Sequence, residues 1–264
     1  MKDVIVKWYK KLSFEKEYDE LFYRVLEDTD VSDLTDFQSY DTKKNTPQKN
    51  LLACLYFCEA LEKEYEKRGI PQRVLLDSLK DLVLWNTTYY QMYQDVGLSE
   101  FPWLNRTFLL QIFRLGRLQF CMFPSDFDIA QKQVKKGDLI LEVHIPAGEP
   151  LDFDACKTSF AQVKPFFKKY FPEMNCGWGL CNSWLLDETL LPLLGEKSNV
   201  AKFQTFFKPI AKIQSDDAIK FTFLWNTTRE NLKDAEPKSG FAKRLKECAL
   251  TGQVFYEVLG ITEF

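Results

Sequence analysis

The order of apolar and polar positions divides this chain of 264 residues into two regions with different periods. In the first region apolar side chains recur every three to four positions, as at Val4, Trp8 and Leu12, which is the period of an amphipathic helix. From Leu115 onward, short runs alternate apolar and polar residues, which is the period of a strand. The sequence therefore predicts a helical first region and a second region built on a sheet.

Helix start and stop signals frame the first region. Thr46 followed by Pro47 is typical of a capped helix start, and Gly69 is typical of a helix end. Apolar stripes on both sides predict further helices, of which the last is Trp103–Arg114. We expect a helical domain over residues 1–100, without strands or a catalytic group of its own, and a second domain over residues 101–264.

The second region mixes strands and helices. One strong amphipathic helix is predicted over residues 151–170, with Asp152 or Asp154 as its cap, and shorter helices are predicted near residues 187–194 and 239–250. The predicted strands are 115–123, 139–145, 177–185, 201–213, 219–225 and a short segment 254–258. This order combines antiparallel hairpins with a crossover helix, so the fold class is α/β, or mixed α+β, with helices on the faces of the sheet.

Composition narrows the classes of partner. Hydrophobic residues make up 45% of the chain, which is enough for a sizeable core. The net charge of −3 gives no basic excess, so nucleic acid is not an expected partner. The N-terminus lacks the apolar segment of a signal peptide and no apolar run is long enough to span a membrane, so we expect a cytoplasmic protein without a membrane partner. No feature fixes the oligomeric state.

The seven cysteines are scattered along the chain, and their number is odd. Cys54 and Cys58 share one helical face, but no second Cys or His pair accompanies them. We therefore expect reduced, mostly buried thiols and no metal site.

Polar residues two positions apart mark three of the predicted strands. The pairs are Arg117 with Gln119, Glu142 with His144, and Cys181 with Ser183. Because side chains alternate across a strand, each pair lies on one side of its strand. Together the three pairs form either a site on one side of one sheet or a solvated sheet face.

Several phrases of the sequence resemble a known family. Its members pair an α-helical N-terminal acyltransferase domain with a C-terminal domain like that of the GNAT superfamily of N-acyltransferases, and the family is bacterial. The resemblance rests on the strand order and on Phe113–Phe120, His144–Gly148 with Pro150-Leu151, Ser183–Asp187, Ser198-Asn199 and Phe203-Gln204. It covers nearly the whole chain and implies a helical domain followed by a GNAT-like mixed sheet.

The resemblance also implies an activity. It implies an N-acyltransferase that moves an acyl group, with acetyl as the expected group, from acetyl-CoA or another acyl-CoA to an unidentified small-molecule amine. In the superfamily the pantetheine pairs with a strand that corresponds to Leu139–Ile145, and the pyrophosphate lies at the start of the following helix. The implied cofactor-binding residues are Val143, Ile145, Ala147 and Gly148.

The chain departs from the superfamily at the phosphate loop. The signature Arg/Gln-x-x-Gly-x-Gly/Ala is absent, and Gly148 is the only glycine in the loop. Glu149, Asp152 and Asp154 place carboxylates where a pyrophosphate would lie, and like charges repel. This departure keeps open a binding module that retained the fold without catalysis. A second alternative, a protein–protein adaptor that acts through the helical half, rests on the many aromatic residues of that half and its lack of catalytic residues.

Each candidate side chain has a chemical hypothesis beside a structural one. We expect Glu142 to act as general base through water and His144 to assist it, since an amine must be neutral to attack a carbonyl. Cys181 or Ser183 would protonate the leaving thiolate, or Cys181 would form an acyl-enzyme. Arg117 and Gln119 would bind substrate. The structural alternatives are strand polarity, buried packing for the thiol and a surface ion pair for Arg117.

Overall fold

Amphipathic helices make up the first of two units, Met1–Arg114, in this computed structural model, which describes residues 1–129, 134–174, 176–194 and 198–264. The helices are α1 (Lys2–Lys11), α2 (Asp19–Asp28), α3 (Pro47–Arg68), α4 (Gln72–Tyr93) and α5 (Phe101–Phe108). The predicted signals of α3 are confirmed: Thr46 Oγ1 accepts a hydrogen bond from Lys49 N–H, and Gly69 ends the helix at a φ of +69°. The core includes Trp8, Phe22, Leu51, Leu55, Tyr65 and Leu79.

The predicted helix Trp103–Arg114 is wrong in its second half. Helix α5 ends at Phe108, Leu110 adopts a positive φ of +55°, and strand β1 (Ile112–Leu115) follows. All four residues of β1 are buried. A short apolar run that is buried on both faces is compatible with a helix or with a strand. The positive φ at Leu110 ends the helix, so the residues after it form a strand.

The second unit, Leu115–Phe264, contains the rest of the sheet. Its strands are β2 (Leu118–Pro124), β3 (Leu139–His144), β4 (Trp178–Ser183), β5 (Lys208–Gln214) and β6 (Tyr256–Glu263). Its helices are α6 (Phe153–Tyr170), α7 (Leu191–Leu194), α8 (Asn199–Gln204), α9 (Asp217–Thr222) and α10 (Gly240–Leu250). The mixed sheet after a helical region confirms the predicted fold class.

Two predicted strands are wrong. Residues 201–213 were expected to be one strand, but Ser198 Oγ accepts from Ala201 N–H and starts α8, and β5 begins only at Lys208. Residues 219–225 were expected to be another strand, but they continue α9 and the turn after it.

The six strands lie in the order β1-β2-β3-β4-β6-β5. β2 and β3 are antiparallel, β3 and β4 are parallel with α6 as the crossover, and β6 runs antiparallel to both of its neighbours. Asp152 caps α6, because its Oδ1 accepts from Ala155 N–H at 2.8 Å. β6, the last strand in sequence, therefore lies inside the sheet, and β5 forms an edge.

The sheet register gives each face a distinct set of side chains. We call the face that carries Glu142 the cavity face and the opposite face the helix face. The cavity face holds Gln119, Phe123, Ile140, Glu142, His144, Leu180, Asn182, Glu257 and Leu259. The helix face holds Phe120, Leu141, Val143, Gly179, Cys181, Ser183, Val258 and Gly260, and Phe160 of α6 packs edge-on against Phe120.

Candidate functional site

Strands β3 and β4 pair over a short distance and then continue without pairing. Their register contains only Leu141 with Gly179 and Glu142 with Leu180. β3 nevertheless extends to His144 and β4 to Ser183. Across these described residues the two parallel strands therefore diverge at their carboxyl ends, where the backbone of each can accept a ligand as a pairing partner.

Glu142 and His144 lie side by side at the start of this divergence. They are two residues apart on β3, and Nε2 of His144 lies 3.0 Å from Oε2 of Glu142. Both side chains are partly exposed, at 20% for Glu142 and 23% for His144. Carboxylate and imidazole side chains are both groups that serve as general bases in enzymes, so the pair places two such candidates at one point of the strand.

A cavity of about 340 Å³ opens on the cavity face beside this pair. Glu142 is part of its wall, and so are Asn182 of β4 and Glu257 of β6. The rest of the lining is mostly apolar: Phe123, Phe127, Leu180, Ala211, Ile213 and Leu259, with Asp126 and Lys212. This volume is within the range of small-molecule sites, which combine apolar walls with a few convergent polar groups.

Glu257 is the functional candidate that the sequence analysis missed. Burial raises the pKa of its carboxyl group, the negative charges of Asp217 and Glu142 raise it further, and hydrogen bonding to the side chain of Asn182 partly offsets these effects. Glu257 lies within the short segment 254–258 that was predicted as a strand, so its place on a strand was the available signal. Its position on the same face as Glu142 depends on the pairing of β6 with β4. The alternation of apolar and polar residues along one strand does not reveal which strands pair.

Cys181 and Ser183 do not share a face with Glu142, so the expectation of one common polar face is wrong for them. Glu142 pairs with Leu180, which places the odd-numbered residues of β4 on the helix face. Cys181 is 1% exposed, and burial raises the pKa of its thiol well above the usual range, with Glu142 and Glu257 adding to the effect. A thiol in this environment stays protonated and is a poor nucleophile.

Ser183 is engaged locally. Its Oγ accepts a hydrogen bond from Leu185 N–H at 3.2 Å and caps the short 3-10 helix Trp184–Leu186. Asp187 caps the next turn by accepting from Thr189 N–H. The roles expected for Cys181 and Ser183 in protonating a thiolate stay predictions.

Arg117 lies in the turn between β1 and β2, not on a solvated face. It is 6% exposed, its Nε donates to Pro150 O at 2.9 Å, and its Nη2 donates to Glu149 O at 2.8 Å. The surface position considered for this residue is therefore wrong. Arg117 fastens the loop between β3 and α6 to the first hairpin, and its role in binding substrate stays a prediction.

The loop between β3 and α6 is where the resemblance predicts phosphate contacts. Gly148 has a φ of +85°, a backbone conformation that glycine adopts without strain, and both Ala147 and Gly148 are exposed. Val143 is buried on the helix face, and Ile145 is partly exposed just after β3. These four residues follow the diverging end of β3 toward the N-terminus of α6, where backbone N–H groups favour anions.

Gln119 lies on β2 directly across from His144. It is 2% exposed, and among the described residues its Nε2 has no hydrogen-bond partner. A buried amide without a partner is costly in a folded protein. Its position beside His144 makes it a donor that a bound carbonyl or anion can satisfy.

Two features are absent from the part of the chain that the structure describes. No helix there is both long and apolar enough to cross a membrane. No group of three or more His, Cys, Asp or Glu side chains there is arranged to hold a metal ion.

Two family descriptions match the chain, one after the other. "N-acyltransferase N-terminal domain" matches residues 3–110, and "GNAT-like C-terminal domain" matches residues 112–262. Curated proteins show no match to this chain. The second description alone covers more than half of the sequence.

Solved structures of acyltransferases share the fold. One, in complex with decanoyl-CoA, is 23% identical with a TM-score of 0.72, and the match covers 100% of this chain and 80% of that one. Another, in complex with decanoyl-CoA and teicoplanin, is 23% identical with a TM-score of 0.71 and covers 81% and 65%. A mutant in complex with octanoyl-CoA is 22% identical with a TM-score of 0.71 and covers 81% and 66%. In these last two matches the chain spans about two thirds of the other protein.

Proposed function

This chain belongs to the family that joins an N-acyltransferase N-terminal domain to a GNAT-like C-terminal domain, and we propose that it transfers an acyl group from an acyl-CoA to an amine. One observation carries the proposal: Glu142 and His144 lie together where β3 and β4 diverge. The divergence gives a thioester a place to pair with backbone, and the pair provides the base that the amine needs.

The Glu142–His144 pair acts on the amine. An ammonium has no lone pair for attack, so one proton must leave before the nitrogen adds to the thioester carbonyl. His144 lies beyond the last paired position of β3, nearer the gap, and takes this proton. Glu142, 3.0 Å away, stabilises the imidazolium that forms. Direct action of Glu142 through water is the alternative assignment.

The reaction is balanced without a further co-reactant. The nitrogen–carbon bond forms, the carbon–sulfur bond breaks and the thiolate of CoA leaves. A second proton from the nitrogen goes to the sulfur, so an ammonium and an acyl-CoA give an amide, the CoA thiol and one released proton. The amide of Gln119 supplies a buried donor near His144 that positions the reacting carbonyl.

The donor is an acyl-CoA, and the comparison structures extend the range of acyl chain lengths to be considered. The family resemblance implies an acetyl group, whereas the related acyltransferases were crystallised with decanoyl-CoA and octanoyl-CoA. We propose that the family's acyl-CoA site is retained here and that acetyl-CoA and medium-chain acyl-CoA both be tested as donors.

A second candidate is a GNAT-like binding module without transferase activity. Glu149, Asp152 and Asp154 are exposed around the start of α6, and the side chain of Asp152 already occupies the N–H of Ala155. Negative charge here opposes a pyrophosphate. The observation favours a protein that binds CoA weakly or not at all.

Calorimetric titration with CoA, acetyl-CoA, octanoyl-CoA and decanoyl-CoA decides between the two candidates. We expect saturable binding that Asp154→Asn strengthens about twofold to fivefold, because this change removes a negative charge near the pyrophosphate without removing the Asp152 cap. Glu236→Gln, an exposed change of the same charge, is the control and leaves binding unchanged. Absence of binding for every ligand contradicts the transferase and favours the binding module.

A further inference from the structure

The cavity beside Glu142 has walls suited to an apolar group. Phe123 and Phe127 line it from the β2 side, and Ala211 and Ile213 line it from the edge strand β5. Phe127 is 41% exposed and Ile213 is 66% exposed, although both are large and apolar. A ligand with an apolar or aromatic portion would cover this surface, which water now contacts at a cost in free energy.

The same cavity is lined by two carboxylates, whose negative charges repel each other. Glu142 and Glu257 both line it, and each lies on a strand of the same sheet face. The charge of Glu142 contributes to the raised pKa of Glu257, which indicates mutual repulsion across the cavity. A cationic group placed between them would relieve this repulsion.

Two lysines lie near the cavity, and each also contacts a partner away from it, although the positive charge of Lys220 still acts on Glu257. Lys212 contributes to the lining, but its Nζ lies 4.7 Å from the centre of the Tyr256 ring and 4.0 Å from Glu188. Lys220 lies 3.4 Å from Asp217. Asp126 adds a further negative charge at the cavity wall. The described charges that face the cavity are therefore mainly negative.

From these contacts we propose that the cavity selects the acceptor: a primary amine that carries an apolar or aromatic body and has no carboxylate next to the amine. The ammonium binds between Glu257 and Glu142, and the apolar body lies against Phe123, Phe127 and Ile213. An α-amino acid is disfavoured, because its carboxylate would meet these two acids. The inference rests on the proposed function, and it makes Glu257 a specificity residue and not a proton acceptor.

Three small probes test the proposal by calorimetry without any donor present. 2-Phenylethylamine has the required ammonium and ring, phenylalanine adds a carboxylate, and 2-phenylethanol lacks the charge. We expect binding of 2-phenylethylamine at least about tenfold tighter than that of either analogue, since a buried charge-assisted contact is worth about this much. Equal affinity for phenylalanine, or no binding of the amine, overturns the inference.

Glu257→Gln separates recognition from catalysis. In a steady-state assay of CoA release with 2-phenylethylamine, we expect the KM for the amine to rise about tenfold and kcat to change much less. Glu247→Gln, an exposed change on α10, is the matched control and leaves both constants unchanged. An unchanged KM in Glu257→Gln contradicts the role of Glu257.

Titration with the acyl-CoA donors distinguishes a wrong acceptor class from a wrong proposed function. If an acyl-CoA binds and 2-phenylethylamine does not, the acceptor class is wrong and the proposed function stands. If the amine binds with the predicted preference and no acyl-CoA binds, the recognition site stands and the transferase is wrong.

Discussion

The two faces of the sheet are built from the same strands but have opposite characters. On the helix face, Gly179, Cys181 and Gly260 are buried, and the two glycines lie close to the rings of Phe264 and Phe207. On the cavity face, Glu142 and Glu257 remain beside an open cavity whose wall includes the exposed Ile213. The helix face is packed at these positions. The cavity face has a buried cluster of its own around Ile140 and Leu180, but it also keeps two carboxylates accessible at some cost in stability.

This contrast shows how register divides chemistry from packing. Consecutive residues of a strand point to opposite faces of the sheet. A shift of one position in the pairing of β3 with β4 would therefore place Cys181 on the cavity face and Asn182 on the helix face. For this reason the thiol of Cys181, a candidate nucleophile by sequence, is buried on the helix face. Substitutions on the two faces should therefore have separable effects on activity and on stability.

The first prediction concerns activity. Removing the base from the cavity face, by His144→Gln or Glu142→Gln, should lower kcat/KM for acyl transfer about 10²-fold to 10³-fold, which is the usual contribution of a general base. On the helix face, Cys181→Ala should change kcat/KM less than about threefold, because the protonated thiol takes no part in the chemistry. Steady-state rates of CoA release measure both.

Circular dichroism spectra serve as the control for folding of these variants. A loss of activity in Cys181→Ala that equals the loss in His144→Gln, with both proteins folded, would show that the helix face takes part in the reaction. A larger loss in Glu142→Gln than in His144→Gln would assign the proton to Glu142 directly.

The second prediction concerns packing. A Cβ at position 260 would lie 2.9 Å from both Leu186 Cδ1 and Phe207 Cβ, so Gly260→Ala should destabilise the protein by about 1–3 kcal/mol. Gly240→Ala at the start of α10 is the control, because its Cβ would meet only the flexible end of Arg244. Urea denaturation measures both free energies of unfolding. Equal stability of the two variants would contradict the close packing of the helix face.

The third prediction concerns the cost of the cavity face. Because the pKa of Glu257 is raised, the folded protein holds this proton more tightly than the unfolded chain, so stability falls as pH rises above the ordinary glutamate range of about 4.3. Glu257→Gln should therefore be more stable than the parent at about pH 8, with the difference shrinking toward about pH 4. Urea denaturation across this range checks the trend, and a variant less stable at about pH 8 would oppose it.

Much of the fold follows from local sequence. The caps at Thr46 and Asp152 and the stop at Gly69 appear where their residue types predict them. The failures share a cause: around Ile112 and Phe203, buried apolar residues fit a helix or a strand equally well. There the short-range turn at Leu110 and the cap at Ser198 decided the outcome.

The site was only partly accessible to sequence reasoning. Glu142 and His144 lie on one strand, so alternation alone placed them together. Glu257 required the insertion of β6 between β4 and β5, and the burial of Cys181 required the register of β3 with β4. Both are pairings between distant segments, which the period of a single strand cannot specify.

A crystal structure with a non-transferable analogue of decanoyl-CoA, in which a methylene group separates the sulfur from the carbonyl, would test the central assignment most directly. We predict that the acyl carbonyl lies between β3 and β4, beyond the Glu142–Leu180 pair, on the cavity face and within hydrogen-bond reach of His144 or Gln119. A carbonyl on the helix face beside Cys181, or away from the gap between these strands, would contradict the account.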